Sequence, residues 1–343
     1  MSSFACPAPL SPGARVLLGH GSGGTLSADL VRELFLPRFA SAELNRLTDA
    51  AVVELEGVRV AFTTDAFVVQ PTFFPGADIG VLAVNGTVND LAMMGARPSF
   101  LSAAFVLEEG LGLDALVSVV DSMAATADRA GVRLVTGDTK VVERGAADGL
   151  YIVTSGIGVV PDGIELGPEH IDVGHAVVVS GPVGSHGVAV MSRRAGIEFD
   201  VDVESDSMSL VPLVDSLLDV ANVHCLRDAT RGGLATVLCE LADASGCAID
   251  IDEPRVPVLE PVRSACATLG LDPLYVANEG VFVAVLDAAD VAAALEALRA
   301  HAGGSAAALL GEVGAGTGVH LRTALGVSRP LRLLSGEQLP RIC

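Results

Sequence analysis

The chain has 343 residues, half of them apolar and 18% charged. That excludes a disordered polymer and leaves room for about two domains with cores of their own. Forty-two acids against 21 bases give a formal charge of −21, which excludes non-specific binding to nucleic acid or to an anionic membrane and makes a divalent metal the natural intermediary for phosphate. After a Pro-rich lead (6–12), the loop Gly19-His20-Gly21-Ser22-Gly23-Gly24 precedes a helical pattern over 28–39. Two β-like runs, 51–55 and 58–64, are joined by Glu56-Gly57. Helical periodicity over 79–95 is followed by a strand at 99–107, a helix at 114–130 closed by Gly131, and strands at 132–136 and 150–160. A turn-rich stretch over 161–174 is the natural domain boundary. Beyond it come a strand at 176–180, helical patterns near 187–194, 209–220 and 233–245, strands at 248–251 and 281–285, and a helix at 290–301. Residues 331–343 read as a tail rather than a packed element.

The first residues carry no basic segment or apolar core, and apolar stretches such as 176–191 are broken by Gly, Pro and His. Neither a signal peptide nor a membrane span is expected, which points to the cytoplasm. Six scattered cysteines without a C-x-x-C pair read as reduced thiols rather than a disulfide framework or a zinc site.

Gly19, Gly21 and Gly24 fit G-x-G-x-x-G, yet only three apolar residues precede them and no strand ending in an acid follows within about 20 residues. The loop is a dinucleotide turn, a plain flexible loop, or a loop that covers phosphates, and that poor context for the first favours the last. His20 lies within it. More informative are five aspartates beside small or polar residues: Asp49, Asp65, Asp90, Asp138 and Asp228. One such residue is an ordinary turn or cap; five, mostly at the ends of β-like runs, suit carboxylates that converge on Mg²⁺ and a triphosphate. Asp90 stands mid-helix among apolar residues and needs partners if buried.

Twenty of the 21 bases are arginine; the single lysine, Lys140, directly follows Gly137-Asp138-Thr139. It is either a chance survivor or the one compact, tunable amine of a site. Glu279, in Asn278-Glu279-Gly280 between β-like stretches at 274–277 and 281–285, is either a hairpin residue or a general base in a cleft. Cys343, the last residue of the sequence, is either a stray thiol or a carrier on an arm that spans roughly 30 Å from Ser335 when extended. Arg341 would favour its thiolate.

Taken together, Gly19–Gly24, Thr64-Asp65, Val88-Asn89-Asp90-Leu91-Ala92-Met93-Met94-Gly95-Ala96, Gly137-Asp138-Thr139-Lys140, Arg227-Asp228-Ala229-Thr230-Arg231-Gly232-Gly233, Asn278-Glu279-Gly280 and Pro340-Arg341-Ile342-Cys343 resemble the HypE family of hydrogenase maturation proteins, within the aminoimidazole ribonucleotide synthetase-like superfamily. The match runs almost the whole length. The terminal Pro-Arg-Ile-Cys is specific to the family, whereas the aspartate motifs are shared with selenophosphate synthetase and thiamine-monophosphate kinase.

The resemblance implies an α/β (α+β) fold of two domains, 1–165 and 166–334, plus a flexible tail, 335–343. The N-terminal sheet would pair across a homodimer. ATP and Mg²⁺ would lie in the cleft, with Gly21, Gly23, Gly24, Asp65, Asn89, Asp90, Asp138, Thr139, Asp228 and Arg231 on the nucleotide. Asp49, Asp65, Asp90, Asp138 and Asp228 would serve the metal, and Cys343, Lys140, Glu279 and His20 the catalysis. The implied partners are a carbamoyltransferase, HypF, and the HypC–HypD iron scaffold. The implied reaction is ATP-dependent dehydration of a carbamoyl group on Cys343 to a thiocyanate, the cyanide source for the iron of [NiFe] hydrogenase. A sister kinase or synthetase acting on a small molecule is the alternative, and it would not need Cys343.

Overall fold

The computed structural model describes residues 15–39, 41–196, 203–334, 339 and 341–343. The Pro-rich lead over 6–12 and tail positions 335–338 and 340 lie outside these. Helical turns α1 (Thr25–Asp29) and α2 (Leu36–Phe39) are followed by the hairpin β1 (Ala51–Leu55) and β2 (Val58–Phe67). Glu56 and Gly57 turn it, both at positive φ as a two-residue hairpin loop requires. After β3 (Phe73–Phe74) and β4 (Ala77–Asp78) comes helix α3 (Ile79–Met93), whose first turn is capped by the Asp78 carboxylate accepting from the Gly80 and Val81 amides. Next are β5 (Arg97–Glu108), α4 (Leu113–Ala130), β6 (Arg133–Val142) and β7 (Leu150–Val159). The sheet runs β1-β2-β7-β5-β6. Only β5 and β6 are parallel, joined through α4; the other pairs are antiparallel.

The second half contributes β8 (Ala176–Val179), α5 (Ser185–Ala195), α6 (Val211–Leu218), β9 (Val223–Asp228), α7 (Gly233–Ser245), β10 (Ala248–Asp252), α8 (Glu260–Leu269), β11 (Phe282–Leu286), α9 (Val291–Arg299), β12 (Ala308–Gly314), β13 (Gly318–Arg322) and β14 (Ser328–Leu331). Its sheet runs β14-β13-β10-β12-β8-β11-β9. Every residue of β11 is buried, which matches its unbroken apolar run in mid-sheet.

Helix α3 is the spine between the halves. It is buried on nearly all sides, against Phe67, Leu101 and Ile152 of the first sheet along one stretch and against Leu210 and Leu213 of the second half at its end. That explains a helix mostly apolar all round, with Asn85, Thr87, Asn89 and Asp90 as its polar exceptions.

Several elements depart from the sequence expectation. Strand β6 continues through Val142, so Asp138, Thr139 and Lys140 sit within a strand, not beyond its end. Residues 273–275 form a single 3₁₀ turn instead of a strand before Glu279. Helix α8 and strands β9, β12, β13 and β14 were not expected from the pattern. The tail is packed where it is described: Leu339 and Ile342 are buried in the core that holds Phe67, Ile79 and Val188. Among the described residues no helix is long and apolar enough to cross a membrane, and Cys225, Cys239, Cys247, Cys266 and Cys343 are free thiols.

Candidate functional site

Side chains alternate along β2. Ala61, Thr63 and Phe67 point toward α3 and are buried, and Asp65 shares their parity. Asp90 meets this row from the helix: Thr63 Oγ1 donates to its Oδ2 at 2.7 Å. One helical turn earlier, Thr87 Oγ1 donates to Asp65 Oδ2 at 3.4 Å. Asp228 closes β9, and the turn Ala229–Gly232 carries the chain into the first turn of α7. These elements surround a cleft of about 640 Å³ between the two halves. Its walls are Gly21–Gly24, Thr64–Val68, Asp90, Asp228, the turn Thr230–Gly232, Glu279 and the tail residues Leu339, Arg341, Ile342 and Cys343. The start of α7 offers its partial positive charge and open amides there, a natural seat for phosphate.

Two close approaches hold this arrangement. A Cβ on Gly24 would come within 2.4 Å of the Leu334 carbonyl, which the Thr25 amide also binds. The glycine-rich loop is thereby pinned to the root of the tail. A Cβ on Gly280 would lie 1.9 Å from the Asp206 carbonyl, so only glycine lets the segment after Glu279 pass it. Asn278 knits the same region: its Oδ1 accepts from Gly184 N and its Nδ2 donates to Ala229 O, both at 2.6 Å.

The site's electrostatics are set by acids out of water. Burial raises the pKa of Asp65, which a hydrogen bond from Asp90 and the charge of Arg231 pull back. Asp90 is pushed well up by burial and then by Asp65, Asp228 and Asp49. Asp228 is raised by burial and Asp49, and Glu279 by burial and then by Asp228. Arg231 is the cation among them: its guanidinium faces Cys343, Asp65, Glu279 and Asp228 and donates to Gly21 O at 2.8 Å. Burial pushes the Cys343 thiol up to about 12, with Arg231 opposing. Arg341, expected to favour the thiolate, is instead paired with Asp148.

Hard carboxylate oxygens gathered on the walls of one cleft fit a divalent cation, whose charge would offset their repulsion. Among the described residues the only trio with ligand atoms within 4.8 Å of one another is His175, His224 and Asp287, elsewhere in the molecule. Asp65, Asp90 and Asp228 are therefore not collapsed onto one point. Mg²⁺ needs only one or two carboxylates when phosphates complete its shell.

The structure thus gathers Gly21, Gly23, Gly24, Asp65, Asp90, Asp228, Arg231, Glu279 and Cys343 into one cleft. It does not bring the other candidates there. His20 turns back on its own loop, accepting at Nδ1 from the Leu17 amide. Asn89 lies behind the wall, donating to Met208 O and Glu279 O and accepting from Leu210 N. Asp49 is buried behind Asp228 and paired with Arg227 at 2.9 Å. Asp138 and Lys140 form a pair at 2.6 Å with about two thirds of each side chain in solvent, and Thr139 is exposed beside them. Sequence reasoning missed Tyr151 and Tyr275, both on the cleft wall. They are the only two tyrosines in the chain, so the rarity argument that singled out Lys140 could have found them. His186, Arg194 and Asp206 left no such signal.

Models of the AIR synthase related protein family match residues 47–160 with the N-terminal domain and 172–323 with the C-terminal domain. The carbamoyl dehydratase HypE of Cupriavidus necator is 50% identical over 333 residues, 96% of this chain and 95% of that one. That of Escherichia coli is 45% identical over 333 residues, 96% and 99% of the two chains. A crystal structure of a HypE–HypF complex superposes with a TM-score of 0.85 at 44% identity, covering 89% of this chain and 99% of the other. One of HypE in complex with ATP gives 0.81 at 48% identity, covering 96% and 100%.

Proposed function

This chain belongs to the carbamoyl dehydratase HypE family of hydrogenase maturation enzymes, and from that premise we propose that it converts a carbamoyl group carried on its own Cys343 into a thiocyanate with ATP. The observation that carries this reading is the position of Cys343, inside the cleft that holds Glu279, Arg231 and the aspartates. A structure of a relative in complex with ATP supports ATP as the nucleotide.

The chemistry balances as follows. A thiocarboxamide, S–C(=O)–NH₂, attacks the γ-phosphorus of ATP through its oxygen; ADP leaves, and one proton leaves the nitrogen. The C–O bond then breaks, the oxygen departs within phosphate, and the second N–H proton is lost to give S–C≡N. Glu279 is the base for these protons, because a carboxylate held away from water beside other acids binds a proton strongly once ionised. Arg231 neutralises charge at the sulfur end, and the α7 N-terminus with Thr230 and Gly232 receives phosphate. Asp65, Asp90 and Asp228 would hold Mg²⁺, with Asp49 behind them ordering Arg227. When bound, the metal neutralises the charge developing on the transferred phosphoryl group.

Lys140, with Asp138 and Thr139, reaches a nucleotide only if a second copy supplies it. The sheet face turned away from α3 leaves Phe62, Val153, Ile157 and Val159 uncovered, and the edge strand β6 leaves Val135 and Val141 uncovered. A homodimer paired through this sheet buries that patch. His20 joins the site only if the glycine-rich loop turns over on nucleotide. We place the domain division at 165/166 with the tail from 335, and the carbamoyl donor as HypF, on the support of the HypE–HypF relative. The HypC–HypD scaffold receives the cyanide, in the cytoplasm. Incubation with carbamoyl donor and then Mg-ATP tests the reading. Cys343 gains a carbamoyl group and then loses one water, whereas Cys343→Ala does neither; a small-molecule kinase would be indifferent to that substitution.

A further inference from the structure

The tail meets the body of the protein through three successive carbonyls, and they point alternately. The Val68 amide donates to Cys343 O at 3.0 Å and the Gln70 amide to Arg341 O at 3.2 Å. Residues 341–343 therefore lie antiparallel along the chain that continues from β2, reading only every second carbonyl. The carbonyl between them, that of Ile342, faces the opposite way and meets His186 Nε2 at 2.8 Å. His186 is in the first turn of α5, fully buried, with Phe74 edge-on to its ring.

Its tautomer follows from the carbonyl. Ile342 O can only accept, so the ring hydrogen sits on Nε2 and is donated to it. Nδ1 is left to accept the Ser205 hydroxyl at 2.9 Å, while Ser205 Oγ accepts from the Ser207 amide. Burial lowers the His186 pKa to about 4, so the ring is neutral in the working range. The next residue, Asp206, accepts the Glu279 amide on Oδ1 at 3.0 Å. Adjacent residues 205 and 206 thus tie down the carbonyl before Cys343 and the backbone of the proposed base.

We propose that His186 is a positioning residue for the dehydration, a latch that, oriented by Ser205, holds the Ile342 carbonyl and so sets Cys343 in register with Glu279. This deepens the reading of Cys343 as the carrier and rests on it. Arg194 supports the same seat from the surface, donating to Gln70 O at 2.8 Å and to Arg341 O at 2.7 Å, but it binds the carbonyl that the strand already reads. Ile342 O is the one that His186 alone addresses among the described contacts.

The test uses the full-length protein and two readouts, for His186→Leu, Ser205→Ala and His186→Gln. The first is the alkylation rate of Cys343, resolved from the other thiols by peptide mass; it does not depend on catalysis. It rises about five- to tenfold in His186→Leu and Ser205→Ala, the scale of one buried hydrogen bond, and returns toward the unaltered rate in His186→Gln, whose amide can donate. The second is water loss from the carbamoylated protein: kcat falls by a similar factor while KM for ATP holds. Unchanged alkylation in the folded variants overturns the latch, as does faster alkylation with unchanged water loss. If His186→Leu does not fold, Ser205→Ala decides. Failure of the unaltered protein to lose water sinks the proposed reaction instead, and the alkylation rates still judge the latch.

Discussion

Burial beside like charges raises the pKa of Glu279 and of the aspartates around it, yet their substitutions separate. Glu279→Gln keeps the shape and removes the base: nucleotide binding and the carbamoylated species persist, while water loss slows by about 10²–10⁴, read by single-turnover mass kinetics. Asp90→Asn relieves repulsion instead. It raises the Tm of the nucleotide-free protein by about 2–4 °C and abolishes the further rise on adding Mg-ATP, measured by thermal unfolding. Asp206 gives the pH prediction. Burial lifts its pKa to about 6, so its protonated form is favoured by folding and that contribution is lost as pH rises through the window from about 4 to about 6. The Tm advantage of Asp206→Asn over the unaltered chain therefore widens across that window and is constant above it. At this scale the sequence was a good guide where chemistry restricts residue type. Asp65, Asp90, Asp228, Glu279 and Cys343 stood out and converge. Asn89 also stood out, but its amide is consumed by backbone behind the wall. His186 gave no signal, because its partner carbonyl is 156 residues away and a lone histidine has no pattern.

The glycine contacts carry an element-scale prediction. Gly280→Ala must push the strand entry off the Asp206 carbonyl, costing about 2–4 kcal/mol in denaturant unfolding and displacing Glu279 enough to stop water loss. A protein with unchanged stability and activity would refute that account of the turn. Most strands and helices of the first half were legible because each has one buried face and therefore a clear period. Strand β6 was cut short at Thr136 because its residues are exposed on both faces; without alternation, Gly137-Asp138-Thr139 reads as a loop. Strands β12 and β13 carry glycine or charge and pair with the distant β10, which local pattern does not encode, and β14 is a four-residue strand paired with β13. The tail was expected to be loose since it is short and turn-rich, yet Leu339 and Ile342 are buried and its carbonyls meet Val68, Gln70 and His186.

For the whole molecule, the excess of acid is partly concentrated in a cleft that asks for cations, and the single lysine lies on an edge strand outside it. In the proposed dimer these would fit together in sites shared between the two copies. Lys140→Ala and Glu279→Gln are each inactive, but co-expressed they form mixed dimers in which one site has both residues. About a quarter of the unaltered activity returns if chains pair at random, and none returns if each site is built from one chain. Val141→Asp on the uncovered strand dissociates the dimer in sedimentation and lowers activity with it. The mix of strands and helices in both halves was visible in the pattern, whereas the proposed division of the site between chains was not, because one sequence does not say which copy supplies a side chain.

The most direct measurement is the intact mass of the protein after carbamoyl donor and then Mg-ATP, with the modified peptide sequenced. The account predicts one carbamoyl group on Cys343 followed by loss of one water from the same residue, with one phosphate released. Phosphate release with Cys343 unmodified throughout, or a carbamoylated Cys343 that ATP leaves unchanged, would contradict it.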